Sequence, residues 1–159
     1  VANDKENKHV PYVIDRKGDE QHTLLNHSKA AIEYLTREAE DGFFLMIEGG
    51  KLDYAAHEQD AVATFYEVNE FAECVQLALE FAKQHPKETL IVVTSDHETG
   101  GVQLEGDNTK YLSDLLTKTE HTATPVRVFG VGKGTEYFKD KTVDNTDIAK
   151  FLISAITGQ

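Results

Sequence analysis

The chain has 159 residues, of which 28 are acidic and 16 basic, and its formal net charge is −12. This negative charge would repel a phosphate backbone and excludes nucleic-acid binding as the function. No apolar run approaches the roughly 18 residues that a membrane-spanning helix needs, so we expect no membrane span. An apolar share of 40% is ordinary for one globular domain of this length.

The predicted elements follow a polar run at residues 1–8 that lacks Met and is not typical of a signal peptide, so we expect a piece of a longer protein. A short helix is expected at residues 28–38, and a buried strand at residues 42–48, where the central residues are all apolar. A long helix follows, in which apolar residues recur at steps of four and three and form one stripe that we expect to pack on a sheet. The stripe comprises Ala61, Phe65, Val68, Ala72, Val75, Leu79 and Ala82.

The second half of the chain continues the alternation of helices and strands. Pro86 ends the long helix, which contains the single cysteine, Cys74, predicted to be a buried structural thiol. Strands are expected at residues 89–94 and 126–131, and a polar segment with an amphipathic piece at 111–116 lies between them. A closing helix is expected at 147–156, with Asn145 or Thr146 as its cap and Gly158 past its end. This order predicts an α/β layered sandwich with a largely parallel central sheet.

Ionisable residues follow the first two predicted strands, at the edge where open α/β sheets bind ligands. Glu48 ends the first strand, and Asp53 and His57 follow at a spacing of four, which would place them on one face of the first turn of the long helix. Asp96 and His97 close the second strand. Carboxylate oxygen with imidazole nitrogen is a ligand mixture that suits zinc or a similar divalent ion.

Glycine pairs follow both groups, at residues 49–50 and 100–101, and glycine lets the backbone turn tightly beside a ligand. The pattern has a structural interpretation as well. Asp53 could simply cap the long helix, and the glycines could simply end the strands. Residue types and spacing alone leave both interpretations open.

Longer segments resemble the alkaline phosphatase family. Residues 42–57, GFFLMIEGGKLDYAAH, are similar to one metal-binding segment of that family, and residues 94–101, TSDHETGG, are similar to a second. Residues 120–126 resemble its late His-Thr segment, and residues 144–148 resemble the start of its closing helix. With the regions at 12–15 and 30–34, these similarities follow the family's order along nearly the whole chain.

The resemblance implies three metal positions. Asp53, His57 and His121 would hold one zinc, and Asp96 and His97 would supply part of a second zinc shell. Glu48 would supply part of a magnesium shell. His121 is a candidate only through the resemblance, because a lone histidine in a polar segment is more often a surface residue.

The chain also departs from the family pattern. The family's nucleophilic serine follows an aspartate, yet no Asp-Ser dipeptide occurs here, so no catalytic residue is assigned in this chain. The arginine that clamps the phosphate belongs to the same early region, and we expect both in an N-terminal half that would precede Val1. Residues 1–159 would therefore be a single C-terminal portion of an alkaline phosphatase domain. The family's His-Thr-Gly is replaced by His121-Thr-Ala.

The implied activity is hydrolysis of small phosphate monoesters by the parent protein, with two zinc ions and one magnesium ion as cofactors. The implied partners are the missing half or a second copy, as in a homodimer, and the implied location is the periplasm or the exterior. Two alternatives stay open. One is a related phosphodiesterase or phosphotransferase of the same superfamily, and the other is a non-catalytic metal-binding fragment.

Overall fold

The computed structural model describes residues 11–18, 22–102 and 111–158. The helices are α1 (Leu24–Glu38), α2 (Lys51–His57), α3 (Ala61–Gln84), α4 (Leu112–Leu115) and α5 (Asn145–Thr157), with 3₁₀ turns at Val13–Asp15 and Thr135–Phe138. The strands are β1 (Ile91–Val93), β2 (Glu98–Thr99), β3 (His121–Thr122) and β4 (Phe129–Val131). Within these residues no helix is both long and apolar enough to cross a bilayer.

The strands form two short antiparallel pairs. β1 pairs with β4, with Val92 opposite Gly130, and β2 pairs with β3, with Thr99 opposite His121. The predicted strands at 89–94 and 126–131 are therefore present as the shorter β1 and β4. The expected parallel pairing is not seen among the described residues, and the layered sandwich stays a prediction.

The predicted buried strand at residues 42–48 is wrong for the described part of the chain. These residues pair with none of the four strands, and the side chains of Phe44 and Met46 are 57% and 74% exposed. A strand satisfies its backbone N–H and C=O groups only beside a neighbour. The apolar run lacks that neighbour here, and its side chains alternate between exposed Phe44 and Met46 and half-buried Leu45 and Ile47.

Helix α3 confirms the predicted long helix but buries a different face. Phe65 and Val68, from the predicted stripe, are exposed, while Glu67, Glu70 and Cys74 are buried. The expectation that the stripe packs on a sheet is therefore wrong for the first half of the helix. Cys74 is 2% exposed, as predicted, and burial raises the pKa of its thiol.

Buried hydrogen bonds explain why glutamates occupy the inner face of α3. Glu67 accepts a bond from the backbone N–H of Val13 at 2.8 Å, and Glu70 accepts one from that of Leu24 at 3.1 Å. The guanidinium of Arg16 donates to both oxygens of Glu70, at 2.5 and 2.8 Å. Buried carboxylates require such partners. These bonds attach the N-terminal segment and the start of α1 to α3.

A turn at Gln59 and Asp60 interrupts the helix and separates α2 from α3. Gln59 has a φ of +53°, and the carboxylate of Asp60 accepts from the N–H groups of Val62 and Ala63 at 3.0 and 2.9 Å, which caps α3. Asp53 and His57 therefore lie on a short helix of their own. Both the prediction that they begin the long helix and the alternative that Asp53 caps it are wrong.

The N-terminal ends of α1 and α5 are capped by side chains as well. Thr23 caps α1 by accepting from the N–H of Asn26 at 3.0 Å, so the helix begins four residues before its predicted start. Asp144, rather than Asn145 or Thr146, caps α5 by accepting from the N–H of Thr146. Gly158 closes α5 with a φ of +70°, as predicted.

Candidate metal centre

Helix α2 presents two of the predicted ligands on one face. Ala55 and Ala56 are buried, whereas Asp53 and His57 stay partly exposed. The spacing of four brings Nε2 of His57 to 3.3 Å from Oδ2 of Asp53. The predicted shared face is therefore present, although on a shorter helix.

The β2–β3 pair brings the late histidine to the same place. Its register sets Thr99 opposite His121. Nε2 of His121 then lies 3.3 Å from Oδ1 of Asp53 and 2.9 Å from Nε2 of His57. Residues that are far apart in the sequence thus converge on one point.

The turn at Gly100 makes this convergence possible. Gly100 has a φ of +91°, and a Cβ there would lie 2.7 Å from Cδ2 of Leu116. Its carbonyl accepts from the N–H groups of Thr117 and Lys118 at 2.8 and 2.9 Å. A side chain at this position would be strained by the positive φ and would meet the side chain of Leu116, and both reasons favour glycine.

Glu98 joins the two strands through its side chain. It is buried, and it accepts from the hydroxyl of Thr122 and, at 2.6 Å, from the backbone N–H of Val102. Because Glu98 follows His97 and Thr122 follows His121, this carboxylate links the two histidine-bearing segments directly.

The second predicted pair lies beside the first group. Nε2 of His97 lies 3.2 Å from Oδ2 of Asp96, and the His97 ring stacks on that of His121 with a centroid distance of 3.5 Å. Glu48 lines the same cavity of about 340 Å³ as Asp53, Asp96 and His97. The six predicted ligands therefore gather in one region of the structure. The cavity is also lined by Arg16, Lys51, Tyr54 and Glu67.

The pairwise distances between donor atoms are close to those around a tetrahedral divalent ion. Around an ion with bonds of about 2.0–2.1 Å, neighbouring donors lie about 3.3 Å apart. Nε2 of His57 lies 3.3 Å from Oδ2 of Asp53, Nε2 of His121 lies 3.3 Å from Oδ1 of the same carboxylate, and the two Nε2 atoms lie 2.9 Å apart. Nε2 of His97 lies 3.2 Å from Oδ2 of Asp96. One carboxylate with two imidazoles is also a zinc-type donor set.

Comparison with known proteins supplies the family. A sequence profile described as alkaline phosphatase matches residues 5–117, which is more than half of the chain. The chain belongs to the alkaline phosphatase family. It is 32% identical over 144 residues to alkaline phosphatase 3 of Bacillus subtilis (strain 168), an alignment that covers 90% of this chain and 28% of that protein.

Solved structures of alkaline phosphatases share the fold. A cold-active enzyme from the psychrophile Shewanella sp. superposes with a TM-score of 0.76 at 24% identity, covering 93% of this chain and 53% of that one. A TAB5 alkaline phosphatase with His 135 changed to Glu, described with Mg bound in its M3 site, has a TM-score of 0.65 at 31% identity over 81% of this chain and 39% of its own. The chain thus spans between about a quarter and a half of the length of these family members.

The structure groups the ligands more tightly than the family resemblance implies. Asp53, His97 and His121 each offer a donor atom, and these atoms all lie within 4.8 Å of one another. His97 was expected in the second zinc shell, apart from His121. The division of the ligands among separate ions therefore stays a prediction for this alkaline phosphatase chain.

Three residues that support the ligands were not predicted. The Nδ1–H of His57 donates to the carbonyl of Thr119, the hydroxyl of Thr99 donates to Asp53, and Glu98 links the two strands. Thr99 and Glu98 lie within the TSDHETGG segment, so their closeness to His97 was the available signal. Thr119 acts through its backbone, which no residue type reveals.

Proposed function

We propose that this chain supplies the metal-binding part of an alkaline phosphatase that hydrolyses small phosphate monoesters. The observation that carries the proposal is the convergence of Asp53, His57 and His121, with donor separations of 2.9–3.3 Å. Membership of the alkaline phosphatase family supports the reaction class. The clustering of Glu48, Asp96 and His97 around the same cavity supports further metal positions.

The chain's own residues prepare the donor atoms. A carbonyl can only accept a hydrogen bond, so the contact with Thr119 assigns the proton of the neutral His57 ring to Nδ1 and leaves a lone pair on Nε2. Metal binding requires that lone pair. When bound, two zinc ions and a magnesium ion would provide Lewis-acid stabilisation of the attacking and leaving oxygens. Asp53 would orient the two histidine rings, because one of its carboxylate oxygens faces His57 and the other faces His121.

The nucleophile belongs, in this proposal, to a part of the protein outside these residues. No aspartate in the chain is followed by a serine, and Arg16 is engaged with Glu70. The chain spans 53% of the Shewanella structure, so the remainder of such a fold is long enough to carry a serine and a phosphate-binding arginine. The C-terminal placement of residues 1–159 is part of this proposal.

Two exposed apolar surfaces indicate where that remainder would dock. Residues 43–47 form an unpaired apolar run, and Phe65 and Val68 expose the apolar stripe of α3. An exposed apolar segment that pairs with no strand is a site where a strand of another part can be added. We assign the remainder of the alkaline phosphatase fold as the occupant, and a second copy of the chain is the competing outcome of the test in the Discussion.

Zinc titration of the metal-free protein tests the proposal. Wild type is expected to show one tight zinc-binding event at neutral pH. The variant His121→Ala is expected to lack this event. His85→Ala is the matched control, because His85 stacks on Phe81 in α3 and takes no part in the donor cluster. An absence of zinc binding in wild type, or unchanged binding in His121→Ala, would contradict the proposal. In the parent protein, a preference for monoesters over diesters would separate a phosphatase from a phosphodiesterase.

A further inference from the structure

Thr99 contacts two candidate ligands from different segments. Its Oγ1 lies 2.6 Å from Oδ1 of Asp53 on α2 and 3.2 Å from Nδ1 of His97. The β2–β3 register holds its backbone opposite His121, so the position of the hydroxyl is fixed by strand pairing as well. The side chain of Thr99 therefore connects two of the proposed ligands, and its backbone pairs with a third.

The direction of the hydrogen bonds follows from the available protons. A hydroxyl has one proton and an ionised carboxylate can only accept, so the proton of Thr99 is donated to Asp53. Oγ1 then offers only lone pairs to His97, and Nδ1 of that ring must be the donor. A neutral imidazole with its proton on Nδ1 has an unprotonated Nε2.

In the metal-free protein the other ring nitrogen faces a competing acceptor, the carboxylate of Asp96, so the bond to Thr99 has to outweigh it. Nε2 of His97 lies 3.2 Å from Oδ2 of Asp96, on the side where the second donor pair meets. A lone pair on Nε2 is what a metal ion would require there. Without an acceptor at Thr99, nothing among the described contacts would hold the proton on Nδ1.

We propose that Thr99 is a positioning residue that sets two ligands at once, holding the carboxylate of Asp53 and keeping His97 in the tautomer with a free Nε2. The inference rests on the proposed metal-binding function, because a free Nε2 matters only where an ion binds. A purely structural threonine would need only its shape, which valine reproduces.

Nitrogen NMR of histidine side chains reads the tautomer directly. The intact, metal-free protein is labelled with ¹⁵N-histidine. Its spectrum is recorded at a pH about two units above the ordinary imidazole pKa of about 6.5, where a free imidazole is neutral. We expect His97 to be protonated on Nδ1 in wild type and in Thr99→Ser, and to lose that preference in Thr99→Val. Protonation on Nε2 in wild type would overturn the proposal, even if every variant failed to fold.

Zinc affinity provides the second measurement. Thr99→Val is expected to weaken the tight event about 10–100-fold, as changes in hydrogen-bonded supports of metal ligands do, and Thr99→Ser to restore most of it. Thr36→Val is the matched control, since it removes only a bond from its hydroxyl to the carbonyl of Ile32 within α1. Wild-type affinity in Thr99→Val would refute the role of Thr99. If wild type binds no zinc, the proposed function fails, and the tautomer measurement still decides the role of Thr99.

Discussion

Oδ1 of Asp53 lies 3.3 Å from Nε2 of His121, although one residue is on helix α2 and the other on strand β3. The other oxygen of the same carboxylate faces His57 at 3.3 Å. His97 lies close enough to join Asp53 and His121 in a group of its own. The carboxylate is therefore shared by two possible ligand sets that differ in one histidine.

The first prediction separates these two sets. If Asp53, His57 and His121 hold the tight zinc, His57→Ala should abolish the tight event and His97→Ala should leave it nearly intact, because three protein ligands and water complete a catalytic-type zinc shell. Calorimetric titration with zinc at neutral pH measures both. The reverse result would assign the tight site to Asp53, His97 and His121 instead.

The second prediction concerns catalysis by these residues alone. With zinc and magnesium added, the 159-residue chain is expected not to hydrolyse an aryl phosphate above a metal-only blank, because no serine follows an aspartate in it. Release of the aryl alcohol measures the rate. Turnover that survives repurification and disappears in His57→Ala would show that the chain carries its own nucleophile.

The third prediction concerns the exposed apolar run. Met46→Lys is expected to weaken association with the separately produced remainder of the fold, because a charge would then have to be buried where an apolar side chain docks. Pull-down and sedimentation measure the complex. Ile156→Lys, on the exposed face of α5, is the matched control. If Met46→Lys instead abolishes dimers of the chain, a second copy is the occupant.

The fourth prediction tests the junction that orients α2. Asp60→Ala removes the acceptor for the N–H groups of Val62 and Ala63 and should lower the free energy of unfolding by about 0.5–2 kcal/mol. Urea denaturation measures the change. Asp60→Asn, which keeps a side-chain oxygen, should recover most of the loss. Equal losses in both variants would show that capping is not the stabilising interaction.

Local signals predicted the long helix and the shared face of two candidate ligands. Apolar periodicity found α3, and Pro86 marked its end within two residues. The spacing of Asp53 and His57 correctly placed them on one helical face. These features depend on neighbours within one or two turns, which the sequence displays directly.

Long-range partners account for what the sequence did not predict. Glu67 and Glu70 are buried because Val13, Leu24 and Arg16 meet them, and no local pattern shows that pairing. Residues 42–48 have the composition of a buried strand, but burial also requires a neighbouring strand. Thr99 acquires its contacts only when α2 meets β2.

The fifth prediction concerns the pH dependence of stability and rests on Glu67. Burial is the largest cause that raises the pKa of its carboxyl above the ordinary value, and the bond from the N–H of Val13 and the charge of Arg16 only partly oppose it. A carboxyl with a raised folded-state pKa binds protons more tightly when folded. Its contribution to stability is therefore greatest in acid and declines as pH rises from the unfolded pKa through the folded one.

Glu67→Gln keeps an oxygen acceptor for Val13 and removes the charge. We therefore expect the variant to gain stability relative to wild type as pH rises through that window, with a constant difference above it. Urea midpoints measured from mildly acid to neutral pH give the comparison. Glu73→Gln, at an exposed carboxylate of the same helix, is the control and should show no such rise. A stability difference between Glu67→Gln and wild type that narrows with rising pH would mean that the bond from Val13 and the charge of Arg16, rather than burial, dominate the pKa of Glu67.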